Sequence, residues 1–203
     1  MGNRAGIPHV ARPTLTGAHP AHLTLRVRPD VPSLRTVKLV REIEQSFAHT
    51  CDRGEFRLVH YSLQGNHVHL LVEAAHRRAL ARGMKAVGAR LARAVNRVFQ
   101  RSGPVLADRY HMRLLKTPRE VYNALRYVLL NARRHARQLR GAVRLDPASS
   151  ARWFDGWRPG SATVREVVEE TVGRPVARAR SWLLTTGWRR HGLIDPAAVP
   201  GAG

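Results

Sequence analysis

His67 and His69 stand two residues apart in the run Asn66-His-Val-His-Leu-Leu-Val-Glu73. The run alternates as a β-strand does, so both imidazoles project to one face and Val68, Leu70 and Val72 to the other. Two imidazoles on one strand face can grip a single metal ion. Tyr127 and Asn131 are four residues apart in a helical stretch and therefore share a helix face. A tyrosine and an asparagine presented together offer a nucleophile and an amide-oxygen ligand. The chemistry they suggest is attack on a phosphodiester: a Lewis acid withdraws charge from the phosphate while the phenol oxygen attacks and forms a phosphotyrosine. A free phenol has a pKa of about 10, so such a site benefits from nearby positive charge.

Charge points to the same substrate class. The 203 residues hold 35 Lys+Arg and 14 Asp+Glu, a formal net charge of +21. Most of the cations are arginine, which forks onto phosphate and stacks on bases. Nucleic acid is the leading partner and an anionic membrane surface the second. No apolar run approaches the roughly 18 residues of a membrane span, and residues 1–20 have no signal-peptide core. Cys51 is the single cysteine, which excludes an internal disulfide and predicts an intracellular protein; with nucleic acid as its partner, a cytoplasmic, nucleoid-associated one is expected.

The elements that must position these residues follow from periodicity. Residues 1–20 read as a flexible basic arm. Strands are predicted at His22–Arg28, Phe56–Leu63 and from His67, the last two joined by the turn Gln64-Gly65-Asn66; a fourth is predicted at Arg109–Lys116. Helices are predicted at Thr36–Thr50, at His76–Arg101, and from Pro118 to about Leu139 after the cap signal Thr117-Pro118-Arg119-Glu120. In the last helix Ala124, Leu125, Val128, Leu129 and Ala132 form an apolar stripe opposite Tyr127 and Asn131. The order β-α-β-β-α-β-α predicts an α+β fold: a ferredoxin-like antiparallel sheet with helices packed on one face and the other face open for a site. This core covers residues 21–140. Residues 141–203 form a C-terminal appendage with Trp153 and Trp157 in a loop, short helices expected near Thr163–Val172 and Pro175–Thr185, the second holding Trp182, and Trp188 beyond. The tryptophans either pack on the core or stack on unpaired bases.

Three blocks carry a resemblance: Gly65-Asn-His-Val-His-Leu-Leu-Val-Glu73, Ser102-Gly-Pro-Val-Leu-Ala-Asp-Arg-Tyr110 and Ala124-Leu-Arg-Tyr-Val-Leu-Leu-Asn131. In order and spacing they resemble the REP-associated tyrosine transposases, IS200-like members of the single-tyrosine branch of the HUH endonuclease superfamily. The resemblance implies that His67, His69 and Asn131 hold Mg²⁺ or Mn²⁺ and that Tyr127 is the nucleophile. It implies cleavage and joining of single-stranded, hairpin-bearing DNA through a 5′-phosphotyrosine, by a monomer or homodimer. The chain departs from the family at Ala132, where proline is usual, at Gly65, often proline, and at Leu106, often Trp or Phe.

Candidate phosphate contacts are Arg82, Lys85, Arg90, Arg93 and Arg97 on the long helix, with Arg109, Arg126 and Arg134. Tyr122 precedes Tyr127 by five residues and points about 140° away from it. Tyr61 and Tyr110 are expected to support the sheet. Glu73 shares the strand face of the histidines and either joins the metal's surroundings or stands at the surface. Two further readings stay open: a non-catalytic nucleic-acid-binding protein with the same fold, and a metal hydrolase of another type.

Overall fold

A computed structural model describes residues 19–135, 145–159 and 173–199. Strand β1 (Ala21–Arg26) leads to helix α1 (Val37–Ala48), the hairpin β2 (Phe56–Leu63) and β3 (His67–Ala74), helix α2 (Arg77–Val98), strand β4 (His111–Leu114) and helix α3 (Pro118–His135). The four strands form one antiparallel sheet in the order β2-β3-β1-β4. The α+β, ferredoxin-like expectation holds, and the predicted elements fall within a few residues of their observed ends.

The alternation of β3 decides what each sheet face does. Val68, Leu70, Val72 and Ala74 join Leu23 and Leu25 of β1 in a core closed by α1 and α2, through Leu39, Ile43, Phe47, Leu80, Met84, Val87 and Leu91. Gly83 lets α2 approach closely: a Cβ there would lie 2.1 Å from the Phe56 ring. The second face is not left open. Leu71 and Val59 pack under Val121, Leu125, Val128 and Leu129 of α3, together with Phe154, Trp157, Leu183, Leu184, Trp188 and Ile194 of the C-terminal segment. The physical reason is the composition of that face: Leu71 and Val59 are apolar and need cover, and α3 is the remaining amphipathic helix.

The start of α3 is fixed by a capping box. Glu120 N–H donates to Thr117 Oγ1 at 3.2 Å, and the Glu120 carboxylate accepts from the Thr117 and Lys116 amides at 3.1 and 2.8 Å. Tyr127 and Asn131 do not stand opposite the apolar stripe. At 100° per residue, Tyr127, Asn131, Ala124, Val128, Val121 and Leu125 form one continuous arc, buried except for the half-buried Tyr127. The side chain of Ala132 lies outside the described residues.

The C-terminal segment is built into the core. Arg35 forks onto Asp146 at 2.8 and 3.0 Å, and Arg152 reaches the buried Glu44 at 2.7 Å. Ala177 N–H donates to Leu58 at the outer edge of β2 at 2.8 Å. Glu73 is a correction to both readings given above. It is 3 % exposed, accepts from Arg57 at 2.9 Å and clamps the Arg180 and Ser181 amides at 2.7–3.0 Å, so it is spent on anchoring this segment. The helix expected at 175–185 is only the single turn α4 (Trp182–Thr185), because Pro175 to Arg180 lies along β2 and into the Glu73 clamp. The arm before residue 19, the expected helix at 163–172 and Arg134's side chain lie outside the described residues.

Candidate active site

The site is a sheet face read across strands. Antiparallel pairing aligns Ser62, His69, Thr24 and His111 in one row and His60, Leu71, His22 and Arg113 in the next; Arg26 pairs with His67. Cross-strand partners point to the same face, so His22 and Thr24 flank His69. The sequence signal for them was present in β1, whose polar positions His22, Thr24 and Arg26 alternate against Leu23 and Leu25. Without the register, nothing tied them to the histidine pair.

His67 Nε2 and His69 Nε2 face each other at 3.0 Å. The rings are held from behind. His67 Nδ1 donates to Asn66 Oδ1 at 2.7 Å, which leaves the lone pair on its Nε2. His69 Nδ1 lies 3.2 Å from both His22 Nε2 and Thr24 Oγ1. A contact of this kind accommodates one proton or one cation between the two Nε2 atoms. Burial and the neighbouring His22 and His67 push the His69 pKa down to about 3; burial and Arg113 push His22 down to about 4. Both rings are therefore neutral at pH 7 and able to donate a lone pair.

Tyr127 arrives from α3. Its ring meets His69 edge-on, with centroids 4.9 Å apart, and His22 at 5.8 Å. The nucleophile candidate thus sits over the histidine pair of its own chain. Asn131, one turn further along the same helix face, is 2 % exposed, and its Oδ1 has no hydrogen-bond partner. A buried acceptor left unmatched costs about 1–3 kcal/mol, so an orphan of this kind asks for a ligand.

These residues fit a divalent cation. The two Nε2 atoms stand 3.0 Å apart, close enough for one cation to reach both. The orphaned Asn131 oxygen, on the helix face that carries Tyr127, is the candidate third donor. Among the described residues no three His, Cys, Asp or Glu side chains group as a cage. His22 approaches the far side of the His69 ring, at Nδ1, and steadies that ring instead of joining the pair of facing Nε2 atoms.

The predicted phosphate contacts divide by layer. Arg82, Lys85, Arg90, Arg93 and Arg97 lie on α2, across the sheet from Tyr127. Arg82 pairs with Glu55 at 2.7 Å, and Arg97 pairs with Glu42. Arg109 is exposed in the loop before β4, and Arg126 lies beside Tyr127 with its guanidinium 5.7 Å from the Tyr122 ring. Two cations that sequence reading missed, Arg26 and Arg113, are exposed on the site face itself. Tyr122 turns to His191, 5.6 Å away, and not to the histidine pair. Tyr61 is buried and donates to Glu44 at 2.8 Å, and Tyr110 packs against the core, as expected. Trp157 and Trp188 are buried, Trp153 is half-buried and Trp182 is 48 % exposed.

Comparison with known proteins bears on the fold and the family. A solved structure of the REP-associated tyrosine transposase bound to a REP hairpin superposes with a TM-score of 0.56, covering 86 % of this chain and 100 % of that one at 13 % identity. This shows the shared fold. A structure from Deinococcus radiodurans R1, described as a transposase candidate, gives a TM-score of 0.38 at 18 % identity over 57 % of this chain and 87 % of that one. None of the curated proteins compared with the chain matches it. The family described as Transposase IS200 like matches residues 18–128, from the start of β1 through Tyr127, and the chain belongs to this family of IS200-like transposases.

Proposed function

We propose that this protein is a metal-dependent single-strand DNA endonuclease and strand transferase, acting as a transposase or a domesticated derivative on hairpin-bearing DNA. One observation carries the reading: the Tyr127 ring stands against His69, whose Nε2 faces that of His67 at 3.0 Å, with the orphaned Asn131 oxygen one helical turn away. Hairpin DNA as the partner is supported by family membership, by the hairpin bound to the similar fold, and by the net charge of +21.

His67, His69 and Asn131 would hold Mg²⁺ or Mn²⁺, which supplies Lewis-acid withdrawal of charge from a phosphate oxygen. Tyr127 Oη attacks the phosphorus. The Oη–P bond forms, the P–O3′ bond breaks, and the phenolic proton is lost to solvent while the 3′-oxygen gains one. The 5′-phosphate stays on Tyr127. Attack by another strand's 3′-hydroxyl reverses the step and joins DNA without a high-energy cofactor. Arg26 and Arg113 flank the site and hold the backbone on either side. The family fold and a DNA substrate favour work at the nucleoid.

The experiment is a labelled hairpin oligonucleotide incubated with Mg²⁺ or Mn²⁺ and run on a denaturing gel. The expected result is a labelled protein band that resists boiling in detergent and requires the metal. DNA binding with no such band would identify a binding protein that keeps the fold without the chemistry.

A further inference from the structure

A second concavity lies on the site face, at the outer edge of the sheet. The register shift in β2 between Leu58 and His60 turns both Val59 and His60 towards α3 and the C-terminal segment. Around His60, the segment forms a cavity of about 410 Å³, lined by Trp153, Phe154, Arg174, Arg178 and Arg189. That is within the roughly 300–1,000 Å³ of small-molecule pockets. None of these residues is used in the reaction described above, and the family match ends at residue 128.

The lining has two halves. The inner half is aromatic. His60 is buried, bonded through Nδ1 to Ser150 Oγ at 3.1 Å, and Phe154 meets it edge-on at 5.4 Å. Trp153 stands beside them, half-buried. The outer half is cationic. Arg178 is exposed and makes no ion pair among the described residues; Arg174 is exposed and donates to the Trp153 carbonyl at 3.2 Å. Arg189 pairs at 3.1 Å with Asp155, the only acid among the described lining residues, whose side chain is 88 % exposed. A surface pair of that kind is worth little and yields readily to a phosphate. Phe154 and His60 are buried, so the half-buried Trp153, with Arg152 3.9 Å over its ring, offers the surface for the base of one unpaired nucleotide, and the guanidinium groups offer donors for its phosphate.

Position completes the case. His60 and His22 lie in the same cross-strand row, separated by Leu71. Two strand spacings put them roughly 10 Å apart, on opposite flanks of the Leu71 that α3 covers. A strand leaving the active site would round α3, which covers Leu71, to reach the cavity.

We propose that this cavity is a second nucleotide pocket, which takes one unpaired nucleotide of the DNA strand held at Tyr127. It rests on the function proposed above for its source of DNA. The pocket gives the C-terminal segment a role in fixing the distance between hairpin and cleavage point.

The test uses the full chain carrying Tyr127→Phe, so that the probe stays intact. The probe is a fluorescein-labelled DNA hairpin with a single-stranded flank, shortened one nucleotide at a time. Removal of one particular nucleotide should weaken binding roughly tenfold, the order expected for one stacked base. Arg174→Gln with Arg178→Gln should reduce that step below about twofold. Lys38→Gln with Arg41→Gln, which removes the same charge from α1 across the sheet, should keep it. A smooth decline in the parent, a step that survives in the pocket variant, or its equal loss in the α1 control would each overturn the proposal. The covalent-adduct gel is read separately with unmodified protein. An adduct without a step removes the pocket and leaves the function; a step without an adduct removes the function and leaves the pocket.

Discussion

His22 Nε2 lies 3.2 Å from His69 Nδ1, so β1 braces the His69 ring of β3 from behind. Thr24 Oγ1 shares the task at the same distance. When a cation takes His69 Nε2, the ring's proton must sit on Nδ1, and these two atoms are there to accept it. Partners of this kind typically contribute 10- to 100-fold in metal affinity. His22→Ala with Thr24→Ala should weaken Mn²⁺ binding by at least about tenfold in a calorimetric titration. Unchanged affinity would mean that His69 needs no brace.

Asn131 sets stability against function. Replacing it with leucine keeps the size and removes the orphaned Oδ1. The metal-free variant should gain about 1–3 kcal/mol in urea unfolding, the cost of one unmatched buried polar group. The same variant should lose the rise in Tm that Mn²⁺ gives the parent. A destabilised variant that still responds to Mn²⁺ would contradict the role assigned to this oxygen.

Glu73 is the joint between sheet and C-terminal segment. Its buried carboxylate accepts from the half-buried Arg57 and from the Arg180 and Ser181 amides, in bonds that are partly buried. Glu73→Ala strands those donors. A loss of about 3 kcal/mol is expected, in the range for breaking a buried pair. Limited proteolysis should then cut first within residues 173–185. A loss below about 1 kcal/mol would show that the segment is held elsewhere.

Acid sensitivity follows from three neutral histidines. His22 is held down at about 4, and His60 and His69 at about 3, chiefly by burial. In the unfolded chain each takes a proton near pH 6.5. Between about pH 6.5 and 4 the unfolded state therefore binds more protons, and stability falls as pH falls. Each group contributes a slope of up to about 1.4 kcal/mol per pH unit. Urea unfolding in EDTA from pH 7 to 4.5 should show the decline steepening through this window. A flat profile would mean that the rings protonate in place.

Much of this was legible in the sequence because it is local. Strand alternation put His67 and His69 on a common face, and the four-residue spacing put Tyr127 and Asn131 on one face of α3, though not opposite its apolar stripe. What was not legible is what depends on register. Nothing in one chain says that Thr24 pairs with His69, or that β4 brings Arg113 beside His22. The layer of α3 was also hidden, since Leu71 gives no sign of which helix covers it. Glu73 shows the same limit: its spacing suggested a place near the histidines, but the Arg180 and Ser181 amides, more than a hundred residues away, claim it.

The central claim is that Tyr127 becomes joined to DNA, and the most direct measurement is peptide mass spectrometry of the protein after reaction with a hairpin oligonucleotide and Mn²⁺. The account predicts a nucleotide attached to Tyr127, none on Tyr122, and no adduct in Tyr127→Phe. An adduct on Tyr122, or one that persists in Tyr127→Phe, would contradict it.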